Sequence, residues 1–315
     1  MGVLKRFISL LFTMTLCILC AGGSSVSAKD LVIFTSGGYE AYKDVERGIE
    51  DAVKRDPLAQ RLGYVRAKSY DVSKGLDRPL KALGLDVKQL PLIFTIGTPA
   101  TNFALENIHG VPIVYSLVTS WWRYSGRNAT GVHLKISESL LARILSQVTG
   151  ADTIAVLCGK QWPLDKKLFS LSRLYDIHVY LFRIDKEHSV YDALKIISQK
   201  GIKGLLMVPD TAVYDSPQTI RFVLEWCKKN HVFVMGLSRA YLKMGADVAI
   251  EVPFYPIGEQ VWAMGKEILL GKEVTEIPPE PPREFQVLLN EQTKKTENLE
   301  PPQRIFGIPV VIVRP

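Results

Sequence analysis

The chain has 315 residues, 47% apolar and 23% charged, with 39 Lys and Arg against 32 Asp and Glu. This length and apolar content give room for two domains and exclude disorder over most of the chain. The formal charge of +7 is scattered rather than clustered, which favours solubility and leaves no nucleic-acid footprint.

Residues 1–28 open with Lys5-Arg6, run apolar from Phe7 to Leu19 and close on Val26-Ser27-Ala28, the pattern of a cleaved secretory signal. The competing reading is an uncleaved anchor, but the run is short for a membrane span and Gly22, Gly23, Ser24 and Ser25 follow it. Lipidation at Cys20 is not expected, because Leu19 stands where a small residue is needed. No later stretch is long enough to span a bilayer, so the expectation is a periplasmic or secreted protein whose mature chain starts at Lys29. Cys158 and Cys227 then remain, and they are expected as buried free thiols because a fold this large needs no staple.

Leu31–Thr35 reads as a buried strand and Ser36-Gly37-Gly38-Tyr39 as its turn, followed by a helix to about Asp56 with Val45, Ile49, Ala52 and Val53 on one face. Tyr64–Tyr70 predicts a strand and Lys74–Leu83 a helix. The stretch from Pro91 to Thr119 then carries two strands, Leu92–Ile96 and Val111–Tyr115, whose lack of polar alternation suits a parallel sheet covered on both faces. Between them Gly97 permits an unusual backbone angle, Thr98 can cap a helix, and Pro99 suits its first position. A helix N-terminus beginning where a strand stops is an anion-binding geometry, and Ser116 and Thr119 leave the next strand at the same carboxyl edge.

The aromatic segment Ser120–Arg127 breaks the pattern, and the first crossing between domains is placed there. A second array follows, with helices Ser137–Val148, Leu164–Leu174, Val190–Gln199 and Pro217–Lys229. Its strands are Thr153–Leu157, Ile177–Ile184, Leu205–Val208, Val232–Met235 and Val248–Val252. Repetition of strand and helix implies an α/β protein with two similar, doubly wound lobes. Ile257–Leu270 predicts a further helix and Phe285–Leu289 a last strand, while the tail from Glu300 is not placed. The expected division is 1–28 leader, 29–122 with 252–276 as the first lobe, 123–251 with 277–299 as the second, and 300–315 as tail.

Chemistry is scarce. There is no GxGxxG or GxxxxGK[ST], no HExxH and no CxxC, so neither a nucleotide cofactor nor a metal is expected. Gly236-Leu237-Ser238-Arg239-Ala240 follows a strand as a nucleophile elbow would, but it ends in Ala and no histidine follows His231. What remains is a ligand cleft without a reaction, with Tyr39, Tyr42, Trp121, Trp122 and Tyr124 in turns or near helix starts beside it.

IGTPAT at Ile96, VPIVYSLVT at Val111, NATGV at Asn128, GADTIAVL at Gly150, MVPDTAV at Met207 and the helix YPIGEQVWAMGKEILLGK occur in that order. Over Leu31–Asn298 the chain resembles the substrate-binding proteins of ABC transporters, in the family that includes tryptophan and tyrosine receptors. The resemblance implies the type I periplasmic-binding fold, two Rossmann-like lobes joined by a three-crossing hinge. It also implies a monomer that closes on a small solute and delivers it to a permease in the inner membrane. A sensory or accessory binding protein is the alternative. Carried over by position, the ligand site comprises Ser36, Tyr39, Thr98, Ala100, Ser116 and Thr119 in the first lobe, and Asp210, Thr211 and Ser238 in the second. Asp210 would face an α-amino group and the helix at Thr98 a carboxylate, pointing to an amino acid, of aromatic type. Two departures from the family pattern stand out, Ser120-Trp121-Trp122 after the strand and Arg239-Ala240 after the serine.

Overall fold

The computed structural model describes residues 29–74, 86 and 89–314. The leader expected over 1–28 lies outside them, as does the expected helix Lys74–Leu83 apart from its first residue.

Strand β1 (Lys29–Thr35) leads into helix α1 (Glu40–Arg55). Asp56 then starts a second, short helix, α2 (Pro57–Leu62): its Oδ1 accepts from the Leu58 N–H at 2.8 Å, and Pro57 opens the helix where no N–H is needed. The first lobe continues with β2 (Tyr64–Asp71), β3 (Ile93–Ile96), α3 (Thr98–Asn107), β4 (Ile113–Val118), a 3-10 turn (Trp121–Tyr124) and β5 (Ala129–His133). These strands form one parallel sheet in the order β2-β1-β3-β4-β5. The unalternating runs become its centre, covered on both faces: Leu31 and Ile33 pack on α1, Val32 and Phe34 on α3.

The second lobe takes α4 (Glu138–Thr149), β6 (Thr153–Gly159), a 3-10 turn (Lys166–Ser170), α5 (Leu171–Tyr175), β7 (His178–Ile184) and α6 (Val190–Gln199). It continues through β8 (Gly204–Leu206), α7 (Pro217–Lys229), β9 (Phe233–Gly236), α8 (Arg239–Lys243) and β10 (Val248–Glu251). Helix α9 (Phe254–Leu269) returns to the first lobe and crosses α1 with Gly48 and Gly258 at the contact. A Cβ on either would overlap backbone of the other helix, which is why both positions lack one. Asp56 ties the same pair by accepting from Trp262 Nε1 at 3.0 Å and Lys266 Nζ at 2.8 Å. The chain ends with β11 (Gln286–Asn290), α10 (Glu291–Thr296), β12 (Arg304–Ile305) and β13 (Ile308–Val313). The second sheet is ordered β12-β13-β11-β10-β9-β8-β6-β7, with β11 antiparallel to β10.

Alternation along β6 sends Ala155 and Leu157 to one face of this sheet and Ile154, Val156 and Cys158 to the other. Cys158 therefore lies in one core and Cys227, on α7, in the opposite one, and both are free and buried.

Four expectations are revised. The first lobe does not stop at residue 122, because β5 pairs with β4 and extends the sheet to His133. Residues 277–280 also lie with this lobe: Thr130 Oγ1 donates to the Ile277 carbonyl at 2.6 Å and Glu280 bridges Val132. The expected helix Leu164–Leu174 is a 3-10 turn followed by the short α5. The 300–315 tail is part of the fold, since β13 runs parallel to β11 and carries β12 as an antiparallel partner.

Candidate functional site

Strand order places a crevice in each lobe. In the first sheet the chain leaves β1 toward the α1 face and leaves β3 toward the α3 face, so the carboxyl ends of β1 and β3 form a switch point of the kind where ligands bind. The second sheet repeats this between β6 and β8, whose following helices α5 and α7 pack on opposite faces.

At the first switch point the structure brings together Ser36, Thr98 and Ala100, but with a different division of labour from that expected. Thr98 is not the cap of α3. Gly97, at φ 90°, holds that position with no side-chain bond of its own, and Thr98 and Pro99 are already helical. The cap comes from another strand end: Ser36 Oγ accepts from the Ala100 N–H at 2.8 Å and donates to the Ile96 carbonyl at 2.9 Å. Gly97 is required there because a Cβ would crowd Ser36 Oγ and Tyr42 Oη. Ser116 is fully buried and donates to the Thr95 carbonyl at 3.1 Å. Tyr39 is 69% exposed and lies edge-on to Tyr42.

The second switch point is closed in the same way. Asp210 Oδ2 accepts from the Gly159 N–H at 2.7 Å and Oδ1 from the Ala212 N–H at 2.9 Å, so the carboxylate ties the end of β6 to the turn after β8. Thr211 is exposed on that turn, and Ser238 precedes α8 without a side-chain capping bond.

A cavity of about 210 Å³ lies where the two lobes meet. It is walled by Thr119 after β4, by Leu134, Lys135 and Ile136 of the first crossing, and by Glu138 and Leu141 of α4. Trp162 after β6, Met207–Pro209 after β8, Gly236 at the end of β9 with Leu237 after it, and Ile250 with Val252 complete it. Of the nine expected site residues, Thr119 alone lines this cavity. A second cavity of about 260 Å³, bordered by Cys227, Phe233, Asp247, Asn290 and Thr293, sits at the amino edge of the parallel strands of the second sheet, away from their carboxyl ends.

The polar wall of the interlobe cavity is a connected set. Glu138, 2% exposed, accepts from Trp162 Nε1 at 3.1 Å and from the Asp165 N–H at 3.2 Å, and pairs with Lys135 Nζ at 3.2 Å. Lys135 also donates to the Pro163 carbonyl and lies 5.7 Å from the centre of the Trp162 ring. Ser137 caps α4 through the Leu140 N–H, and with Ser139 it donates to Asp165 at 2.5 Å. Burial raises the Asp165 pKa, but the two hydroxyls win and hold its carboxyl below the ordinary range. Arg183 braces the loop from behind by donating to the Gly159 carbonyl at 2.7 Å. In the first lobe Trp122 meets Trp162 edge-on at 6.4 Å, while Trp121 stacks on His133 at 4.8 Å. Burial, with Lys135 nearby, pushes the His133 pKa down to about 4, so this imidazole is neutral at physiological pH.

Lys135, Glu138 and Trp162 escaped the sequence reading. Their one legible signal was an aromatic residue just past a strand end, the same signal that singled out Trp121 and Trp122.

A family model described as ABC transporter substrate binding protein matches residues 43–310. The chain belongs to this family. Its fold is the type I periplasmic-binding arrangement, as in three solved structures. The ligand-free, open structure of a substrate binding protein with adhesive properties from Clostridium difficile is 17% identical with a TM-score of 0.67, covering 91% of this chain and all of that one. An ABC domain in complex with L-Trp from Streptococcus pneumonia is 13% identical, TM-score 0.55, covering 90% and 100%. A conserved domain protein from Vibrio cholerae is 16% identical, TM-score 0.52, covering 89% and 97%. No curated protein sequence matches the chain significantly. Substrate-binding proteins of ABC transporters are extracytoplasmic and take a small-molecule ligand. Among the described residues, no helix is long and apolar enough to cross a membrane and no group of His, Cys, Asp or Glu could hold a metal ion.

Proposed function

We propose that this substrate-binding protein is the monomeric receptor of an importer, exported to the periplasm, that closes over a small solute and hands it unchanged to the permease. The observation that carries this reading is the cavity itself, walled by Thr119 of one lobe, the crossing residues 134–136, and the strand ends of the other lobe. A solute there touches both lobes at once, so it stabilises the closed form in proportion to the contacts that only closure makes. The apolar lining by Leu134, Leu141, Leu237, Ile250 and Val252 favours a solute with an apolar body, in keeping with an amino acid of aromatic type. A sensory protein would use the same cleft, and loss of solute uptake on deletion separates the two roles.

Native mass spectrometry of protein purified without refolding tests the reading directly. The expected result is a retained adduct of a few hundred daltons and, by small-angle scattering, a smaller radius with that solute than without it. An unchanged radius at saturation counts against a closing receptor.

A further inference from the structure

Lys135 and Trp162 are not in the set of positions that the family resemblance supplies, yet they form the polar and aromatic part of the interlobe wall. An ammonium carries three N–H bonds. Glu138 at 3.2 Å and the Pro163 carbonyl account for two, which leaves one on a side chain that is 18% exposed and borders the cavity. Among the described residues, Glu138 is the one carboxylate that lines the cavity, and it already accepts from the Trp162 indole and the Asp165 amide and pairs with Lys135. Asp210 accepts from the Gly159 and Ala212 amides and does not line the cavity. The helix N-terminus at Thr98, the other candidate anion site, already has its Ala100 N–H taken by Ser36.

We propose that Lys135 binds the carboxylate of the solute and that Trp162 receives its apolar body, so the receptor reads an apolar monocarboxylate and does not read an α-amino group. This rests on the receptor reading above and narrows it. Glu138 is a positioning residue: its bond to the Trp162 indole fixes the ring plane, and its pairing with Lys135 fixes the ammonium beside the cavity. A cationic head group would find no carboxylate on the cavity wall except Glu138, which already pairs with Lys135, whereas a carboxylate can accept the remaining Lys135 N–H.

The test is calorimetry with three probes that share one ring and differ at the head: 3-phenylpropionate, L-phenylalanine and 2-phenylethylamine. The two carboxylates are expected to bind within about threefold of each other, and the amine at least about a hundredfold more weakly. Lys135→Met is expected to weaken both carboxylates about tenfold or more. Because that change strands Glu138, the double variant Lys135→Met/Glu138→Gln, which removes both charges, serves as the folded control and should show the same loss. A phenylalanine affinity more than about tenfold above that of phenylpropionate overturns the proposal, as does full carboxylate affinity in the double variant. Retention of an unrelated polar solute overturns it too, with the receptor reading intact. Failure to bind any solute, with no change in radius, overturns the receptor reading itself.

Discussion

Ser36 and Ala100, 64 residues apart, are joined by a 2.8 Å hydrogen bond in which the Ala100 N–H donates to the Ser36 hydroxyl. The bond closes the first lobe's switch point, and the Gly159–Asp210 bond at 2.7 Å closes the second lobe's. Both crevices are therefore knitted by the protein's own groups, and the cavity of about 210 Å³ lies between the lobes.

Ser36→Ala removes the cap of the helix at Thr98 and the bond to the Ile96 carbonyl together. The ligand-free protein is expected to lose about 1–3 kcal/mol, measured as a lower urea midpoint at constant slope. An unchanged midpoint would show that the cap contributes nothing to the fold.

Asp210→Ala leaves the Gly159 and Ala212 amides without acceptors, at a cost of about 1–3 kcal/mol for each that stays buried. Thermal unfolding of the ligand-free variant should show the loss. If stability held and solute affinity alone fell, Asp210 would belong to the ligand site as the sequence suggests.

Gly258→Ala should be among the most destabilising single-methyl changes in the protein, because the added atom meets the Val45 carbonyl across the α1–α9 contact. A loss of about 3 kcal/mol or more is expected in chemical unfolding, since rigid backbone on both sides cannot yield cheaply. A near-wild-type midpoint would mean that the two helices part more easily than their packing implies.

His133 predicts a pH dependence with a definite sign. Its folded pKa of about 4 lies below the ordinary 6.5, so the unfolded chain takes up the proton first as pH falls. Its contribution is whole above about pH 6.5 and is lost between 6.5 and 4, amounting to about 2–3 kcal/mol. His133→Phe keeps a ring against Trp121 but does not titrate. The stability difference between wild type and variant should therefore shift toward the variant across that window, and a difference flat with pH would exclude a neutral buried His133.

Cys158 and Cys227 should resist alkylation in the folded protein and react in denaturant without reductant. Burial pushes the Cys158 thiol up to about 11 and Cys227 higher still, and the sheet separates them. Mass mapping that found either protected in denaturant alone would reveal a bridge.

The two-lobe fold was legible because buried parallel strands are apolar on both faces. Leu31–Thr35 and Leu92–Ile96 announce themselves, Ser216 and Ser189 cap helix starts locally, and Pro217 suits the first helical position. The lobe boundary was misread because Ala129–His133 follows an irregular aromatic turn. Its pairing with Ile113–Val118 is a matter of sheet register rather than composition. The tail was unreadable for the same reason, since a six-residue strand gains its identity only from the partners on either side of it.

Local sequence determined where strands stop and helices start, hence which residues stand at the carboxyl edges. Tertiary structure alone decided what those residues do there. Ser36 became a cap rather than a free donor because β1 and β3 are neighbours, and Asp210 became a tie because β6 and β8 are. The Lys135–Glu138–Trp162 wall joins a lobe crossing, a helix start and a loop 24 residues beyond that helix start. Its partners are chosen by proximity in a low-dielectric cavity, which no local pattern of residues encodes.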